Sequence, residues 1–387
     1  MKNIAIITHN LCLGGVQKNV VLLANSLART YAVTIIVFED KEISYTLDAS
    51  ILITVITYVP LNLTNKESRE LEQTGRMLFD IRSHEIGNKL EESSFDLVIA
   101  FEDYHSLCML NTLPCGVKAI VSSRASLTYG YDKRFIHLLP PKFYKKMIPS
   151  LYPSADHVVA VSEGVKKELL DWGVDATVIS NGLNRSLIQK LANEPFDFPV
   201  DNDFFLHVGR FYKIQKAQDE VIHAFARVAS SLKSALVFIG DGNDRAEVEA
   251  LVRMYHLEQR VYFVGFDTNP YKYMKRCKGF IFSSYYEGMP NVLLEALGLG
   301  CPVIAYQFEP SWEEFQHQEG IAFINKGDID KLSECMISFE HHPYDERLLR
   351  ERAEQVLQSY DIHKTILQWE QLIVEQFNEE NKGSIIL

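Results

Sequence analysis

Two glutamates in the second half of the chain, Glu287 and Glu295, lie eight positions apart within residues 284–297. An apolar run at 280–283 precedes them and predicts a strand, so we expect Glu287 just past the carboxyl end of that strand. Residues 291–299 have the spacing of a helix, and Glu295 lies one turn into it. Carboxylates accept hydrogen bonds from hydroxyl groups. The pair therefore predicts a pocket for a hydroxyl-rich ligand such as ribose or a sugar ring.

The start of the predicted helix has the properties of an anion site. Pro290 suits this position, because its missing N–H would be unpaired in the first turn in any case. We expect the backbone N–H groups of Asn291, Val292 and Leu293 to point out of the helix start, where the helix dipole favours negative charge. A phosphate flanked by the two glutamates would outline a nucleotide-sugar pocket. The alternative is an ordinary strand–loop–helix connection with a glycine turn and a capping glutamate.

Basic residues follow the first predicted strand of the second half, Phe204–Val208. Arg210, directly after Gly209, and Lys216 could hold a diphosphate leaving group, because they supply positive charge where its own charge grows. Lys213 competes with Lys216 for this role. The alternative is a loop whose basic side chains are simply solvated.

A glycine pair, Gly14 and Gly15, follows the first apolar run of the chain at 4–7. Glycines let the backbone approach a phosphate closely, and a helix predicted to begin near Gln17 adds its N-terminus. The pair does not match G-x-G-x-x-G, which counts against a nicotinamide-dinucleotide site. A tight turn is the alternative.

Apolar runs alternate with helical patterns in both halves of the chain, which indicates parallel sheets covered on both faces. Residues 193–203 contain two prolines and four acids and form no periodic element, so they predict a linker. We therefore expect an α/β protein with two doubly wound domains, residues 1–195 and 196–360. A helix within 361–387 is expected to pack back on the first domain. Ligands of such sheets bind at the carboxyl ends of the strands.

Composition excludes several classes of protein. The net charge of −12 argues against a nucleic-acid partner. The six cysteines show no zinc spacing, and no acidic pair predicts a metal site, so reduced thiols and no bound metal are expected. No apolar run approaches the roughly 20 residues needed to span a bilayer. The apolar opening is interrupted like a buried strand rather than a signal peptide, so we expect a cytoplasmic location.

Taken together, these segments resemble glycosyltransferase family 4, whose members have the GT-B fold. Two glutamates eight positions apart are the signature of that family, and the sequence of residues 287–296 is very close to the usual form of that segment. The resemblance runs from Lys2 to about Phe377 and is vaguer between 60 and 150. The other segments that match in order and spacing are Gly14-Gly15-Val16, Asn181-Gly182, Gly209-Arg210 with Lys216, Gly240-Asp241-Gly242 and Gly300-Cys-Pro-Val-Ile304.

The resemblance implies two Rossmann-like domains facing a central cleft, with the acceptor in the first and the nucleotide sugar in the second. It implies a retaining hexosyltransferase that uses a nucleoside-diphosphate sugar, with UDP the favoured nucleotide. It also implies that no metal or other cofactor is needed. By analogy, Arg210 and Lys216 would hold the diphosphate. Glu295 would hold the ribose, and Glu287 would contact the sugar or stabilise charge at its anomeric carbon. The donor-binding residues so predicted are Gly14, Gly15, Arg210, Lys216, Gly288, Met289, Pro290, Asn291, Val292, Leu293 and Glu295.

One departure concerns the first domain. Many family members place a histidine just after a strand there, near the donor sugar, whereas this chain has Arg124 at the corresponding place. A guanidinium stays protonated and cannot act as a base, but it could clamp a donor or acceptor phosphate. His105, after the strand Leu97–Phe101, is the other candidate for a catalytic role. A lone histidine of this kind is more often structural.

The acceptor is the least constrained part of the prediction. Residues 118–146 contain seven basic side chains and one acidic one, mixed with aromatic and aliphatic residues. Such a mixture suits docking to the anionic inner face of a membrane, so a lipid-linked glycan or a lipopolysaccharide or capsular glycan is the expected acceptor. The alternative is a solvated loop with buried aromatics. Two other functions stay open: an epimerase or phosphorylase of the same architecture, and a nucleotide-sugar-binding subunit without turnover.

Overall fold

A computed structural model describes residues 1–12, 14–56, 68–129, 139–195, 204–342 and 344–383. The chain divides into two compact units. The first comprises Met1–Gly182 with His363–Leu387, and the second comprises Leu183–Ile362. Within the described ranges, no helix combines the length and apolar character that crossing a bilayer requires.

The first unit is built on a seven-stranded, wholly parallel sheet with the order β3-β2-β1-β4-β5-β6-β7. Residues 4–7 of β1 are fully buried, as a strand covered by helices on both faces must be. The chain order reverses between β1 and β4, which lie side by side. The elements of this unit before Gly182 are β1 (Asn3–Thr8), α1 (Gly15–Leu27), β2 (Ala32–Val37), β3 (Leu52–Val55), α2 (Ser68–Ser93), β4 (Leu97–Phe101), α3 (Asp103–Leu110), β5 (Lys118–Ser123), α4 (Pro141–Leu151), β6 (His157–Ala160), α5 (Glu163–Asp171) and β7 (Thr177–Val178).

The second unit is built on a six-stranded parallel sheet with the order β10-β9-β8-β11-β13-β15, and a separate pair, β12-β14. The order reverses between β8 and β11. The elements of this unit are α6 (Arg185–Ala192), β8 (Phe204–Val208), α7 (Lys213–Lys216), α8 (Gln218–Val228), β9 (Ala235–Ile239), α9 (Arg245–Met254), β10 (Val261–Gly265), α10 (Tyr271–Met274), β11 (Gly279–Phe282), β12 (Tyr286–Glu287), α11 (Asn291–Gly298), β13 (Val303–Tyr306), β14 (Glu309–Pro310), β15 (Ile321–Ile324), α12 (Ile329–His341) and α13 (Glu346–Ser359).

The last helix, α14 (Ile362–Gly383), returns to the first unit. Trp369 is 3% exposed, and its ring lies 5.5 Å from that of Phe101. Ile373 is fully buried in the same apolar cluster as the strands β1, β2 and β4. This helix therefore completes the core of the first unit.

The division between the units falls after Gly182, whereas the sequence places it at residue 195. The helix α6 lies between these two points and packs on the second unit. Its buried Ile188 and Ala192 face that unit, and the Asn269 side-chain amide donates a 3.0 Å hydrogen bond to the Leu191 carbonyl. The linker predicted at 193–203 lies outside the described residues from position 196 onward.

The predicted α/β fold with two parallel sheets is confirmed, but two local features differ from the predicted elements. No helix was predicted between β8 and α8, yet the chain forms the short α7, breaks at Ala217 and continues as α8. Ala217 has φ 48° and ψ 42°, the left-handed conformation, which interrupts a helix. Glu287 was expected in a loop and instead lies in β12. Two-residue strands leave no periodic pattern in a sequence.

Candidate functional site

The predicted donor residues of the second half gather where the chain order of the second sheet reverses. β8 and β11 are neighbours there, with the register Gly279 to Phe205. Arg210 follows the carboxyl end of β8, and Glu287 follows that of β11. The carboxyl edge at such a reversal is where parallel sheets of this type bind ligands.

The centre of this site is an ion pair between Lys216 and Glu287. The two side chains are 16% and 14% exposed, so the charges are largely removed from water but still reachable. The Ser283 hydroxyl donates a 2.5 Å hydrogen bond to the Lys216 carbonyl, and the ammonium lies 5.8 Å from the centre of the Phe282 ring. Lys213, the competing lysine, instead contacts Glu247, and that contact raises the pKa of Lys213. Lys216 is therefore the lysine that meets the glutamate of the predicted site.

Glu287 is positioned by a small framework of backbone contacts. β12 pairs with β14, so the backbone of Glu287 lies opposite that of Pro310. The Gln215 amide donates a 2.9 Å hydrogen bond to the Tyr286 carbonyl, and the Ser311 hydroxyl donates one of 2.8 Å to the Gly288 carbonyl. Residues far apart in the sequence thus fix the direction of one carboxylate.

Glu295 lies in α11 and is only 6% exposed. The Tyr271 hydroxyl donates a 3.0 Å hydrogen bond to its Oε1. A buried carboxylate must be hydrogen-bonded to be tolerated, and the Tyr271 hydroxyl supplies one such bond.

The start of α11 partly matches the predicted anion site. The helix begins at Asn291, and the flanking Pro290 makes no side-chain capping hydrogen bond. The expectation of an open N–H at Leu293 is wrong, because that group donates a 3.1 Å hydrogen bond to the Pro290 carbonyl in a tightened first turn. Gly288, Met289 and Pro290 are buried and join β12 to this helix. The predicted anion site therefore loses the Leu293 N–H as a donor.

The loop that carries Arg210 rests on two glycines of the β9–α9 loop. A Cβ atom at Gly240, whose φ is 135°, would lie 2.1 Å from the Gly209 carbonyl oxygen. The Phe211 N–H donates a 2.9 Å hydrogen bond to the Asp241 carbonyl, and the Gln218 amide donates one of 2.8 Å to the Arg210 carbonyl. The Arg210 side chain is exposed on this fixed backbone. It can therefore reach a bound anion without prior desolvation.

His207 belongs to this site, although the sequence analysis did not single it out. It is the fourth residue of β8 and 3% exposed, and its Cε1 would lie 3.5 Å from a Cβ added at Gly209. Burial, and then the nearby charge of Lys216, lower the pKa of His207 to about 3. A neutral imidazole therefore lies beside the lysine. The only feature of the sequence that could have pointed to His207 is the presence of a histidine within an otherwise apolar strand.

The predicted residues of the first unit form a separate group. α1 begins at Gly15 rather than near Gln17. The Gly14 N–H donates a 2.9 Å hydrogen bond to the Tyr45 hydroxyl, which donates one of 2.9 Å to the Gly14 carbonyl. Gly14 therefore presents its backbone to a tyrosine here, while the Gly15 backbone starts the helix.

Arg124 and His105 both follow strands at the carboxyl edge of the first sheet. Arg124 is 8% exposed, and it donates to the Asn181 side-chain oxygen and, at 3.3 Å, to the Ile179 carbonyl. Burial lowers the pKa of Arg124 to about 9. His105 is 1% exposed, and its Nδ1 lies 3.0 Å from the Phe101 carbonyl oxygen. Such burial restricts direct contact of the imidazole with a ligand.

Comparison with known proteins gives matches for both halves. Residues 13–187 match the model of Glycosyltransferase Family 4, and residues 189–356 match that of Glycosyl transferases group 1. The chain is 34% identical over 191 residues, 48% of its length, to the N-acetylgalactosamine-N,N'-diacetylbacillosaminyl-diphospho-undecaprenol 4-alpha-N-acetylgalactosaminyltransferase of Campylobacter jejuni. The alignments with the first curated relatives span 50–62% of those proteins' lengths.

Solved structures of the same fold superpose on nearly the whole chain. Sucrose-phosphate synthase from Thermosynechococcus elongatus superposes with a TM-score of 0.79, covering 98% of this chain and 100% of that one at 19% identity. Anabaena HepE in complex with UDP superposes with a TM-score of 0.72 at 17% identity, covering 97% and 100% of the two chains. At these identities the likeness establishes the GT-B fold.

Proposed function

We propose that this chain, both halves of which are glycosyltransferase domains of the GT-B fold, is a retaining hexosyltransferase. It moves a hexose or N-acetylhexosamine from a nucleoside-diphosphate sugar, with UDP as the favoured nucleotide, to a glycan acceptor. The observation that carries the proposal is the Lys216–Glu287 ion pair at the carboxyl edge of the second sheet, with the buried Glu295 one turn into the helix α11 that follows.

The diphosphate is the part of the donor that gains negative charge as its bond to the sugar breaks. Arg210 and Lys216 supply positive charge, and the start of α11 supplies backbone donors and the positive end of its dipole. The backbone donors are held in place before the ligand arrives, so little reorganisation of these groups opposes the developing charge. We propose that no metal cofactor is needed, because two cationic side chains already serve the leaving group.

The two carboxylates suit the two hydroxyl-rich parts of the donor. Glu295, anchored by Tyr271, would accept a hydrogen bond from a ribose hydroxyl. Glu287 would contact the donor sugar and stabilise positive charge at its anomeric carbon. The Lys216–Glu287 ion pair adds a consequence: a bound diphosphate competes with Glu287 for the lysine, which leaves the carboxylate available to the sugar.

We propose a lipid-linked glycan as the acceptor. The Campylobacter relative is named for a sugar carried on diphospho-undecaprenol. In the stretch 118–146, positions 130–138 lie outside the described residues. Its apolar side chains Phe143 and Tyr144 are buried, whereas three lysines of α4 are exposed, namely Lys142, Lys145 and Lys146. The proposed contact with the inner face of a cytoplasmic membrane therefore relies on charge.

The test of this function is donor consumption by Glu287 variants. UDP release from UDP-sugars is measured with and without added acceptor for the wild type, Glu287→Ala and Glu287→Gln. Glu313→Gln, which changes an exposed carboxylate elsewhere in the unit, is the matched control. We expect kcat to fall by about 100-fold or more in both Glu287 variants, since lost electrostatic stabilisation of a transition state has that size.

Glu313→Gln is expected to keep wild-type turnover. A metal chelator should leave the turnover of the wild type unchanged. Undiminished turnover in Glu287→Ala would contradict the role given to this residue. Conversion of the nucleotide sugar to an epimer in the absence of any acceptor would favour the epimerase instead.

A further inference from the structure

Glu102 has an unusual backbone conformation at the carboxyl end of β4. Its φ is 71° and its ψ is 143°, a region that side-chain-bearing residues rarely adopt. Such strained conformations are energetically costly and cluster at functional sites. Glu102 also lies beside the reversal point between β1 and β4, where the first sheet is expected to bind ligands.

The surrounding structure holds this conformation from both sides. The Glu102 N–H donates a 3.0 Å hydrogen bond to the Ser122 carbonyl on β5. The Glu102 carbonyl accepts hydrogen bonds from the Ser106 N–H at 3.1 Å and from the Ser106 hydroxyl at 3.0 Å. The side chain does not cap α3, although the residue occupies the capping position. Helix capping therefore does not explain why a glutamate stands here.

The Glu102 carboxylate lies next to His105, from which further contacts lead to polar residues after β1 and β2. Its Oε2 is 3.5 Å from the His105 Nδ1, and its charge raises the pKa of the buried Arg124, opposing the effect of burial. The His9 ring, after β1, lies 5.6 Å from the His105 ring, and Glu39, after β2, lies 3.4 Å from His9. The Glu102 side chain is 36% exposed, unlike the two deeply buried residues beside it.

We infer that Glu102 binds a ring hydroxyl of the acceptor sugar at this edge of the first sheet. The inference rests on the proposed function, because it names a residue that holds the acceptor of that reaction. A partly exposed carboxylate accepts hydrogen bonds from sugar hydroxyls. The strained backbone aims a side chain that a glycine, the residue suited to this φ, could not supply.

The experiment uses the full chain with Glu102→Gln and Glu102→Gly. One matched control is Glu91→Gln, which changes an exposed carboxylate near the end of α2. The other is Ser94→Gly, which places a glycine at another positive φ, 48°, near the amino end of β4. The acceptor probes are octyl glycosides of glucose, galactose, N-acetylglucosamine and N-acetylgalactosamine. The readouts are UDP release against glycoside concentration, the affinity for UDP, and Tm.

Both Glu102 variants are expected to raise the KM for the stimulating glycoside by about tenfold or more, as the loss of a hydrogen bond to a charged group does. Their affinity for UDP should stay within about twofold. Glu102→Gly should not lower Tm, because glycine accepts this φ without strain. A purely structural role predicts a lower Tm with an unchanged KM.

An unchanged KM in both Glu102 variants would overturn the inference. So would a wild-type protein that binds UDP and hydrolyses a UDP-sugar yet is stimulated by none of the glycosides. In that case the proposed function still stands, because its donor half has been observed. If neither UDP binding nor hydrolysis is seen, the proposed function itself fails.

Discussion

At the scale of single residues, the donor site of the second unit combines charges that are reachable with groups that are buried. Lys216 and Glu287 form an ion pair at the edge of the sheet. The neutral His207 lies beneath the Gly209 backbone and close to the lysine. A protonated imidazole would repel Lys216 and would be costly to bury, so its neutrality helps keep the lysine in place.

His207 should make the second unit less stable in acid. Its pKa is about 3 in the folded protein and about 6.5 in the unfolded chain, so between these values only the unfolded chain binds a proton. The free energy of unfolding should therefore fall as pH falls below 6.5, by up to about 1.4 kcal/mol per pH unit.

Urea unfolding measured between pH 5 and 7.5 checks this prediction. His207→Gln should show a shallower pH slope than the wild type, whereas His342→Gln, which replaces an exposed histidine, should keep the wild-type slope. Identical slopes in the wild type and His207→Gln would show that this residue is not the source of the acid sensitivity.

The sequence alone singles out Glu287 and Glu295 by their distinctive spacing, and Arg210 and Lys216 by their place after a predicted strand. It could not predict that Lys216 meets Glu287, since 71 positions separate them and the pairing of β12 with β14 creates the contact. It also gave no prominence to Glu102, because a positive φ leaves no mark in the residue type.

At the scale of elements, the site depends on loops that follow parallel strands. The β8–α7 loop carries Arg210 and leads to Lys216, and the β9–α9 loop supports it from below through Gly240 and Gly242. A Cβ at Gly242 would lie 2.4 Å from the Phe211 carbonyl oxygen. The two loops touch through backbone atoms, so neither can shift without moving the other.

Gly240→Ala should therefore disturb the donor site more than a substitution at another positive-φ glycine. Gly300→Ala is the control, because Gly300 has φ 77° but the Leu349 carbonyl oxygen would lie 3.6 Å from a new Cβ, an ordinary van der Waals distance. The control should cost about 1–2 kcal/mol from its backbone conformation alone.

Gly240→Ala should exceed that cost and should also weaken the binding of UDP. Thermal unfolding and a UDP titration of the two variants measure both effects. Equal losses of stability, together with equal affinities for UDP, would show that the close approach of the two loops does not matter.

The long apolar strands of both sheets were predictable, because strands covered on both faces read as continuous apolar runs. The short elements were not. Neither β12 nor the break at Ala217 follows from a period, and both result from contacts made only after the chain has folded. The elements that position Glu287 and Lys216 therefore had to come from the structure.

At the scale of the whole molecule, each unit has its own sheet, core and chemically distinct edge. The second unit presents cations and two carboxylates suited to a nucleoside-diphosphate sugar. The first presents Glu102, Arg124 and two histidines at the reversal point of its sheet. The net charge of −12 disfavours binding of the protein as a whole to an anionic surface. Any contact with an anionic membrane would therefore have to involve the exposed lysines of α4.

Calorimetric titration of the full chain with UDP, GDP, ADP and CDP tests the donor site most directly. It compares the wild type with Lys216→Ala, Glu295→Gln and the control Glu258→Gln, an exposed carboxylate near the amino end of β10. We expect one of these nucleotides, UDP in the first place, to bind the wild type and the control alike. Each of the two site variants should bind it at least about tenfold more weakly. Absence of binding to all four nucleotides, or equal affinities in all four proteins, would contradict a donor site at the carboxyl edge of the second sheet.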